Sequence, residues 1–530
     1  IAPIMAIAGT ALERIFTNVR LCAVFGTGIG YSDDMKHKEY VGNGAAPASS
    51  GLVTVESNQR LFALPTPAVC KSARQSRDPR FDGRFFIAVL STGVFCRPTC
   101  PARTPAEHNV RYFANAAAAS DAGFRPCKRC RPEDSLPMPE WVLGNPHIVR
   151  ALRFIDAGFL NQQPTATLAQ QLGISERHLD RMFVAALGAT PASIARFKRA
   201  QLARQLLSTA LPLHRVAEHA GYGSVSQFNR EVKKFFHLAP SQLRQGRGSA
   251  QAPMTLSLLL PVRQPYDFEW VFDYLRTRAL TALETVQDHC YTRRLAAGQG
   301  SVVVSREGSN LRVHLPLGSE STHALLRRVV RLFDLDADGE TIHRHLSKHA
   351  GLKRWVGQAP GLRVPGAWDG FETAVRAVLG QQVSVARGTD LANELVQRYG
   401  SGDFPTPQQL CDQEVAEIGM PGRRGRAVSA LARAAMDGTL DFSDHADADT
   451  LATRLASIAG IGPWTINYIK LRVTKDPDAF PHNDWVVLKQ LATTPGDAKK
   501  QSEAWRPWRA YALMYIWFAA KQSRIGSNTQ

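Results

Sequence analysis

Residues Leu455 to Asp484 read LASIAGIGPWTINYIKLRVTKDPDAFPHND, and the rest of the chain is best understood from them. Leu455, Ile458, Ile461 and Trp464 are apolar, but Gly460, Gly462 and Pro463 interrupt them in a way that a continuous helix does not tolerate. The stretch therefore reads as two short helices joined by a hairpin. A Gly-Ile-Gly turn that opens a helix leaves backbone N–H groups unpartnered and pointing outward, a seat for one phosphate of a DNA strand. Pro463 suits the first turn of the second helix, where a missing N–H costs nothing. An ordinary helical corner with a glycine cap would show the same G-x-G. What separates the two readings lies 22 residues after Gly462: Phe480-Pro481-His482-Asn483-Asp484 places a carboxylate past a proline turn, ahead of apolar Trp485, Val486, Val487 and Leu488.

A hairpin, a Gly/Pro loop and a later Asp resemble the helix-hairpin-helix DNA glycosylases. The resemblance continues through Trp505-Arg506-Pro507-Trp508-Arg509-Ala510-Tyr511-Ala512-Leu513 and back to about Leu256, and is specifically to the AlkA type, which removes alkylated bases. Chemistry can be set beside the family. A base alkylated on a ring nitrogen is electron-poor, often cationic, and already a fair leaving group. The enzyme must flip it out, hold it against aromatic faces and stabilise positive charge developing on the sugar. Trp464, Tyr468 and Trp517 stand at the base-pocket positions that the resemblance implies, and Asp484 supplies the negative charge. Relatives that also cut the strand carry a lysine where this chain has Trp464, so a monofunctional enzyme is expected. No cysteine lies beyond Cys411, so the iron-sulfur loop of some relatives is not expected; the resemblance implies no cofactor for the glycosylase. In Arg376-Ala377-Val378-Leu379-Gly380-Gln381-Gln382-Val383-Ser384, Gln382 occupies the family's wedge position, where the best-known form has leucine.

At 530 residues several domains are expected, and the net charge of +18 favours nucleic acid over an anionic membrane as partner. No apolar run approaches the roughly 18 residues needed to span a bilayer. The start, IAPIMAIAGTALERIF, lacks a basic leading region and a clear cleavage site; with Ile first, the true start is expected elsewhere. A bacterial cytoplasmic protein working on DNA is the expectation, with residues 1–66 a disordered extension of no assigned function.

Cys96, Cys100, Cys127 and Cys130 are spaced C-x3-C, 26 residues, C-x2-C, which suits one tetrahedral four-thiolate zinc ion rather than four unrelated buried thiols. Cys22, Cys70, Cys290 and Cys411 lack such partners and read as inert. Around the four, Val94-Phe95-Cys96-Arg97-Pro98-Thr99-Cys100 and Phe124-Arg125-Pro126-Cys127-Lys128-Arg129-Cys130 resemble the N-terminal domain of Ada. That resemblance implies repair of methyl phosphotriesters by transfer of the methyl group onto Cys96. Methylation would remove negative charge and so tighten DNA binding. Arg103, Arg125, Lys128 and Arg129 are the phosphate-binding candidates, or solvated surface charges.

Leu168–Ser175 (LAQQLGIS) is a helix, a glycine turn and a serine cap, and the pattern returns at Val216–Ser224 (VAEHAGYGS). Two such units joined by a long helix around Pro191–Leu207 resemble the AraC-type DNA-binding domain, although such pairs also occur as packing corners. Its sequence readers would be Arg177, His178 and Arg181 in the first unit, and Ser226, Gln227, Asn229 and Arg230 in the second. Gly246–Pro253 reads as a linker, Leu256–Val262 as a strand, Phe268–Leu275 as a helix and Ser301–Leu317 as a hairpin turning at Gly308-Ser309, resembling an AlkA N-terminal α+β domain without chemistry.

The expected fold is multidomain and mainly α: an Ada-like zinc domain of small α+β type over 67–140, tandem helix-turn-helix over 146–246, an α+β domain over 254–321 and an all-α glycosylase domain over 322–523. The expected function is excision of alkylated bases of the 3-methyladenine type, fused to a methyl-sensing transcription regulator with promoter DNA and RNA polymerase as partners. No Pro-Cys-His-Arg motif occurs, so repair of O6-methylguanine is not expected. The rival reading is a transcription factor whose glycosylase half is an inactive DNA clamp; such a clamp needs the hairpin but not Asp484.

Overall fold

The computed structural model describes residues 64–132, 145–244, 255–296, 298–317, 321–443 and 445–528; most of the 1–66 extension and the Gly246–Pro253 linker lie outside them. The chain is multidomain and mainly helical, with two small sheets. Among the described residues no helix is long and apolar enough to cross a membrane.

The first sheet has the order β3-β1-β2-β4, built from β1 (Phe86–Val89), β2 (Val94–Cys96), β3 (Val110–Phe113) and β4 (Arg125–Pro126). Phe86, Ala88 and Phe95 pack into the large core shared with the helices that follow, while Phe85 and Ile87 on the other face join only Cys70 and Ala73 in a small core. The helices Thr165–Gln171 and Glu176–Leu187 form the first helix-turn-helix, and Leu213–His219 and Val225–Phe236 the second, with Pro191–Leu206 between them. Ser175 and Ser224 cap the second helix of each unit through the amides of His178 and Gln227, as serine at that position should. Asn115, just after β3, donates to the carbonyl of Leu187 at 2.5 Å, joining the region of the first sheet to the helix-turn-helix region.

The second sheet runs β5-β9-β8-β7-β6, from β5 (Thr255–Leu260), β6 (Glu284–Gln287), β7 (Cys290–Arg294), β8 (Ser301–Glu307) and β9 (Asn310–Pro316). The hairpin at Gly308-Ser309 joins β8 and β9, with Glu307 opposite Asn310. Strands β6 and β7 escape the hydrophobic pattern because Glu284 and Arg293 occupy buried positions. They pair there with each other at 3.1 Å and, through Arg293, with Glu372 at 2.6 Å.

The C-terminal region is packed around two cores. Leu325, Val329, Leu346 and Val356 join the sheet, together with Trp508, Leu513 and Ile516 from the far end of the chain. The residues between, including Val375, Leu391, Leu431, Leu455 and Ile469, form a core of their own. Contacts also run from the N-terminal domains to this region. Arg84 pairs with Asp338 and donates to Thr341 at 2.7 Å, and His219 meets Thr322 at 3.1 Å.

Candidate active site and metal centre

The hairpin is formed as its glycines require. Helix Ala448–Ala456 ends before Gly460, whose φ of +95° is open to glycine at no steric cost. A Cβ on Gly460 would sit 3.2 Å from that of Ala427, while one on Gly462 would meet nothing within 4 Å. Gly462 caps helix Pro463–Ile469, and Pro463 stands in its first turn. The first-turn amides have no acceptor inside the helix.

Opposite the hairpin, Asp484 caps helix Trp485–Leu491 and is only 6% exposed. Its Oδ1 accepts the Val487 amide at 3.0 Å and the Trp517 indole N–H at 3.4 Å, while Oδ2 accepts the Trp464 indole N–H at 2.7 Å. With both oxygens so engaged, the carboxylate is fixed in aim and suits a role through charge and position. Trp464 stacks on Tyr468, ring centroids 5.2 Å apart and planes within 14°. Asp484, Trp464, Tyr468 and Trp517 thus line one cavity of about 1280 Å³, which also reaches Gly460, Gly462 and Gln382. The cavity lies between the two C-terminal cores: Val487 and Trp517 pack with the first, Ile469 and Tyr468 with the second.

Gln382 is exposed and holds φ at +55°, a left-handed conformation unusual for a side chain of this size. Its neighbour Gln381 donates to the Gly460 carbonyl at 3.0 Å and the Thr465 hydroxyl at 2.9 Å, pinning the loop to the hairpin. Other residues of the cavity were not marked by sequence reasoning. Trp485, next to Asp484, is 63% exposed, with Lys489 over its ring at 5.1 Å. The α+β region, expected to be without chemistry, contributes Trp270, Tyr274 and Arg278 to the cavity wall. A π turn at Lys470–Thr474 brings Arg472 into the wall as well. That contribution is correctable only in three dimensions, because the helix Phe268–Arg276 is apolar enough to read as plain core.

The four cysteines converge as their spacing predicts, with all four sulfurs within 4.8 Å of one another. A tetrahedron of Zn–S bonds places sulfurs roughly 3.8 Å apart, so the set fits a zinc ion. Hydrogen bonds to Cys100 and Cys130, then burial, push the Cys96 thiol up, while hydrogen bonds with Cys130 and then Cys96 pull Cys100 down to about 2 against the effect of burial. Four thiols this close share protons unevenly until a cation balances them. Cys70, by contrast, is buried in a separate small core and pushed up to about 11 by that burial, consistent with inertness. Arg103, Lys128 and Arg129 are exposed beside the cluster, and Arg125 is half-buried on β4.

On the helix-turn-helix units, Arg177, Arg181, Ser226, Asn229 and Arg230 are exposed, and His178 Nδ1 accepts from Arg181 at 2.9 Å. Gln227 differs from the expectation of a free base reader. Its carbonyl accepts the Gly223 amide at 3.2 Å and its NH2 donates to Glu231 at 3.1 Å. Glu231 is buried against Arg199, so this end of Gln227 is drawn inward.

Comparison with known proteins follows the same division of the chain. The metal binding domain of Ada matches residues 69–133, a helix-turn-helix domain matches 168–246 and the AlkA N-terminal domain matches 257–369. The chain is 39% identical over 474 residues to the probable bifunctional transcriptional activator/DNA repair enzyme AlkA of Mycobacterium tuberculosis, covering 84% of this chain and 95% of that protein. DNA-3-methyladenine glycosylase 2 of Escherichia coli is 36% identical over 48% of this chain and 94% of its own length. The bifunctional transcriptional activator/DNA repair enzyme Ada of Escherichia coli is 36% identical over 32% of this chain and 47% of that protein. With an Ada-type metal-binding domain, a helix-turn-helix and an AlkA-type glycosylase in one polypeptide, the chain belongs to the family of bifunctional transcriptional activator/DNA repair enzymes of the AlkA kind.

Proposed function

We propose that the protein is a DNA alkylation repair and response enzyme whose C-terminal half hydrolyses the N-glycosidic bond of alkylated bases of the 3-methyladenine type. The observation that carries this reading is Asp484, fixed by Trp464 and Trp517 at the wall of an aromatic cavity beside the hairpin. In it, the extruded base lies against Trp464, Tyr468 and Trp517, and the Asp484 carboxylate stabilises positive charge gathering on the sugar as the bond breaks. Backbone amides around Gly460 and Gly462 hold a phosphate, and Gln382 enters the gap left in the duplex. No lysine stands at Trp464, and the enzyme releases the base without cutting the strand and without a cofactor of its own.

The N-terminal half is the sensor. Cys96, Cys100, Cys127 and Cys130 hold one zinc ion, which keeps the sulfurs as thiolates. The Cys96 sulfur attacks the methyl carbon of a phosphotriester; the carbon–oxygen bond breaks with its electrons on the phosphate, and a thioether remains on the protein. Arg103, Arg125, Lys128 and Arg129 grip the surrounding phosphates. Arg177, His178, Arg181, Asn229 and Arg230 read promoter DNA; for Gln227 to join them it must exchange Glu231 for a base. RNA polymerase is the partner for activation, in a bacterial cytoplasm. The functional divisions are 67–140, 146–246, 254–321 and 322–523.

The test compares native protein with Asp484→Asn, which keeps shape and removes charge. Binding to a duplex with an abasic site should persist while single-turnover release of 3-methyladenine falls by about a hundredfold or more. Near-native release in the variant would remove Asp484 from the chemistry and overturn this reading, while binding without release by the native protein would favour the inactive clamp.

A further inference from the structure

The turn Asp82-Gly83-Arg84, which leads into β1, faces two ways. Asp82 holds the loop between the first two cysteines: its Oδ2 accepts the Thr99 hydroxyl at 2.7 Å, its Oδ1 accepts the Thr99 amide at 3.4 Å, and the Arg97 guanidinium lies 3.6 Å from Oδ2. Arg84 reaches away from that loop into the C-terminal half, where it pairs with Asp338 and donates to the Thr341 hydroxyl at 2.7 Å. The turn between them is closed by its own backbone. The Asp82 amide donates to the Pro79 carbonyl at 3.2 Å, the Arg84 amide donates to the Phe81 carbonyl at 3.0 Å, and Gly83 takes a φ of +80°. A shift of Arg84 is therefore passed to Asp82 rather than lost in slack chain.

Asp338 is the fixed end. It caps helix Gly339–Leu346, with Oδ1 accepting the Thr341 amide at 3.2 Å and Oδ2 accepting the Thr341 hydroxyl at 2.8 Å. A Cβ on Gly339 would lie 2.6 Å from the Pro265 carbonyl oxygen and 2.9 Å from Arg363 Nη2, so the start of this helix is pressed against the α+β region and cannot slide. Buried Arg363 ties the same place together, donating to the carbonyls of Ala337, Arg263 and Pro265 at 3.0, 2.6 and 2.9 Å. Burial would raise the Asp338 carboxyl, but Arg84 and then Arg263 hold it below the usual carboxylate range. A buried carboxylate that loses one of its cations is left under-compensated, which gives Asp338 a firm hold on Arg84.

We propose that this joint makes the glycosylase half part of the sensor: Asp338 fixes Arg84, the turn carries that restraint to Asp82, and all three are positioning residues for the loop that bears Cys96 and Cys100. The inference rests on the zinc and methyl-acceptor reading of the four cysteines and adds to it a dependence on the other half of the chain. Arg97 and Thr99 lie between the first two cysteines, so holding them restrains the spacing of the sulfurs. Groups that brace metal ligands from behind affect metal retention nearly as much as the ligands do. Methyl uptake thus depends on a carboxylate 254 residues along the chain from Arg84. Coupling of this kind is reciprocal: what the joint lends to the loop, an ordered loop returns to helix Gly339–Leu346.

The experiment uses the full chain loaded with zinc, as native protein, Asp82→Asn, Arg84→Gln, Arg84→Lys and Asp338→Asn, the last keeping a side chain that caps a helix. Zinc loss to a chromogenic chelator should speed by about tenfold in Asp82→Asn and by about threefold or more in Arg84→Gln and Asp338→Asn, with Arg84→Lys close to native. Methyl uptake on Cys96 should slow in the same order, while release of 3-methyladenine by Arg84→Gln stays near native. In the native chain, amide exchange in helix Gly339–Leu346 should quicken when zinc is stripped; in Arg84→Gln it should be indifferent to zinc. Native zinc loss and methyl uptake in Asp338→Asn, or exchange in that helix indifferent to zinc in the native chain, would overturn the inference. A native chain that holds zinc yet takes up no methyl group would instead sink the methyl-acceptor reading beneath it, and the zinc and exchange results would still decide on the joint.

Discussion

The indole nitrogen of Trp464 and Oδ2 of Asp484 are 2.7 Å apart, so the ring proposed to hold the base also aims the carboxylate. Trp464→Phe keeps a face and removes the N–H. Release of 3-methyladenine should slow by about tenfold while abasic-site binding stays near native, because one donor to a buried carboxylate is lost. The measurement is single-turnover release beside a binding titration. A native rate would mean that Trp464 serves as a surface alone.

Gly460 and Gly462 should fail differently when replaced. At Gly460 the positive φ and the Ala427 methyl oppose any side chain, so Gly460→Ala should lower the melting temperature, by an amount equivalent to about 1 kcal/mol or more. At Gly462 there is open space, so Gly462→Arg should fold normally yet bind an abasic duplex at least tenfold more weakly, its side chain filling the approach to the backbone. Normal binding by Gly462→Arg would remove the hairpin from the DNA interface.

For the zinc centre, native protein should carry one zinc per chain, and Cys127→Ser should lose it together with the fold of the first sheet, one face of which has only a small core. Metal analysis and limited proteolysis read both. After exposure to DNA bearing methyl phosphotriesters, peptide mass should locate a single added methyl group on Cys96. A methyl group on Cys100 would reverse the assignment, and tightly retained zinc in Cys127→Ser would break the four-cysteine set.

Glu372 is the buried hub between the sheet and the second C-terminal core. Burial would raise it, but Arg293 and then Arg376 hold it down to about 2. A carboxylate lowered on folding contributes stability above its ordinary range near 4.5, and that contribution fades as pH falls from there toward 2. Glu372→Gln leaves Arg293 short of a buried counter-charge and should cost about 3 kcal/mol at neutral pH. The gap between native and variant, followed by denaturant titration, should close on acidification across that window. A gap that stayed constant with pH would assign the loss to packing instead.

How much of this was visible in the chain depends on which physical rule each residue obeys. Gly460, Gly462 and Pro463 announce the hairpin because they carry backbone rules that hold whatever surrounds them. The cysteines announce their cluster because metal geometry constrains spacing. Strands β6 and β7 stayed hidden because Glu284 and Arg293 stand inward, where alternation expects apolar side chains, and their partner Glu372 is remote in sequence. Tyr274 stayed hidden for the opposite reason: it lies in a helix so rich in buried apolar residues that nothing distinguishes a wall of the cavity from ordinary core. Gln227 satisfied the pattern of a sequence reader, yet a neighbour four residues on, itself tied to Arg199, claims its amide.

The cavity's position between two separately packed cores also bears on how the molecule responds to its substrate. Val487, from the helix that Asp484 caps, and Trp517 belong to one mass of side chains, Tyr468 and the hairpin's Ile458 and Ile461 to the other, and the seam between them is held near the cavity by Arg472, Trp464 and the Glu372 pairs. A duplex bound across that seam touches both masses at once, and a ligand that binds the native state alone raises its stability by mass action. On the proposed function, damaged DNA should therefore act as mortar: amide hydrogens on either side of the joint should become slower to exchange together, and the two halves should melt as one unit while the lesion is held.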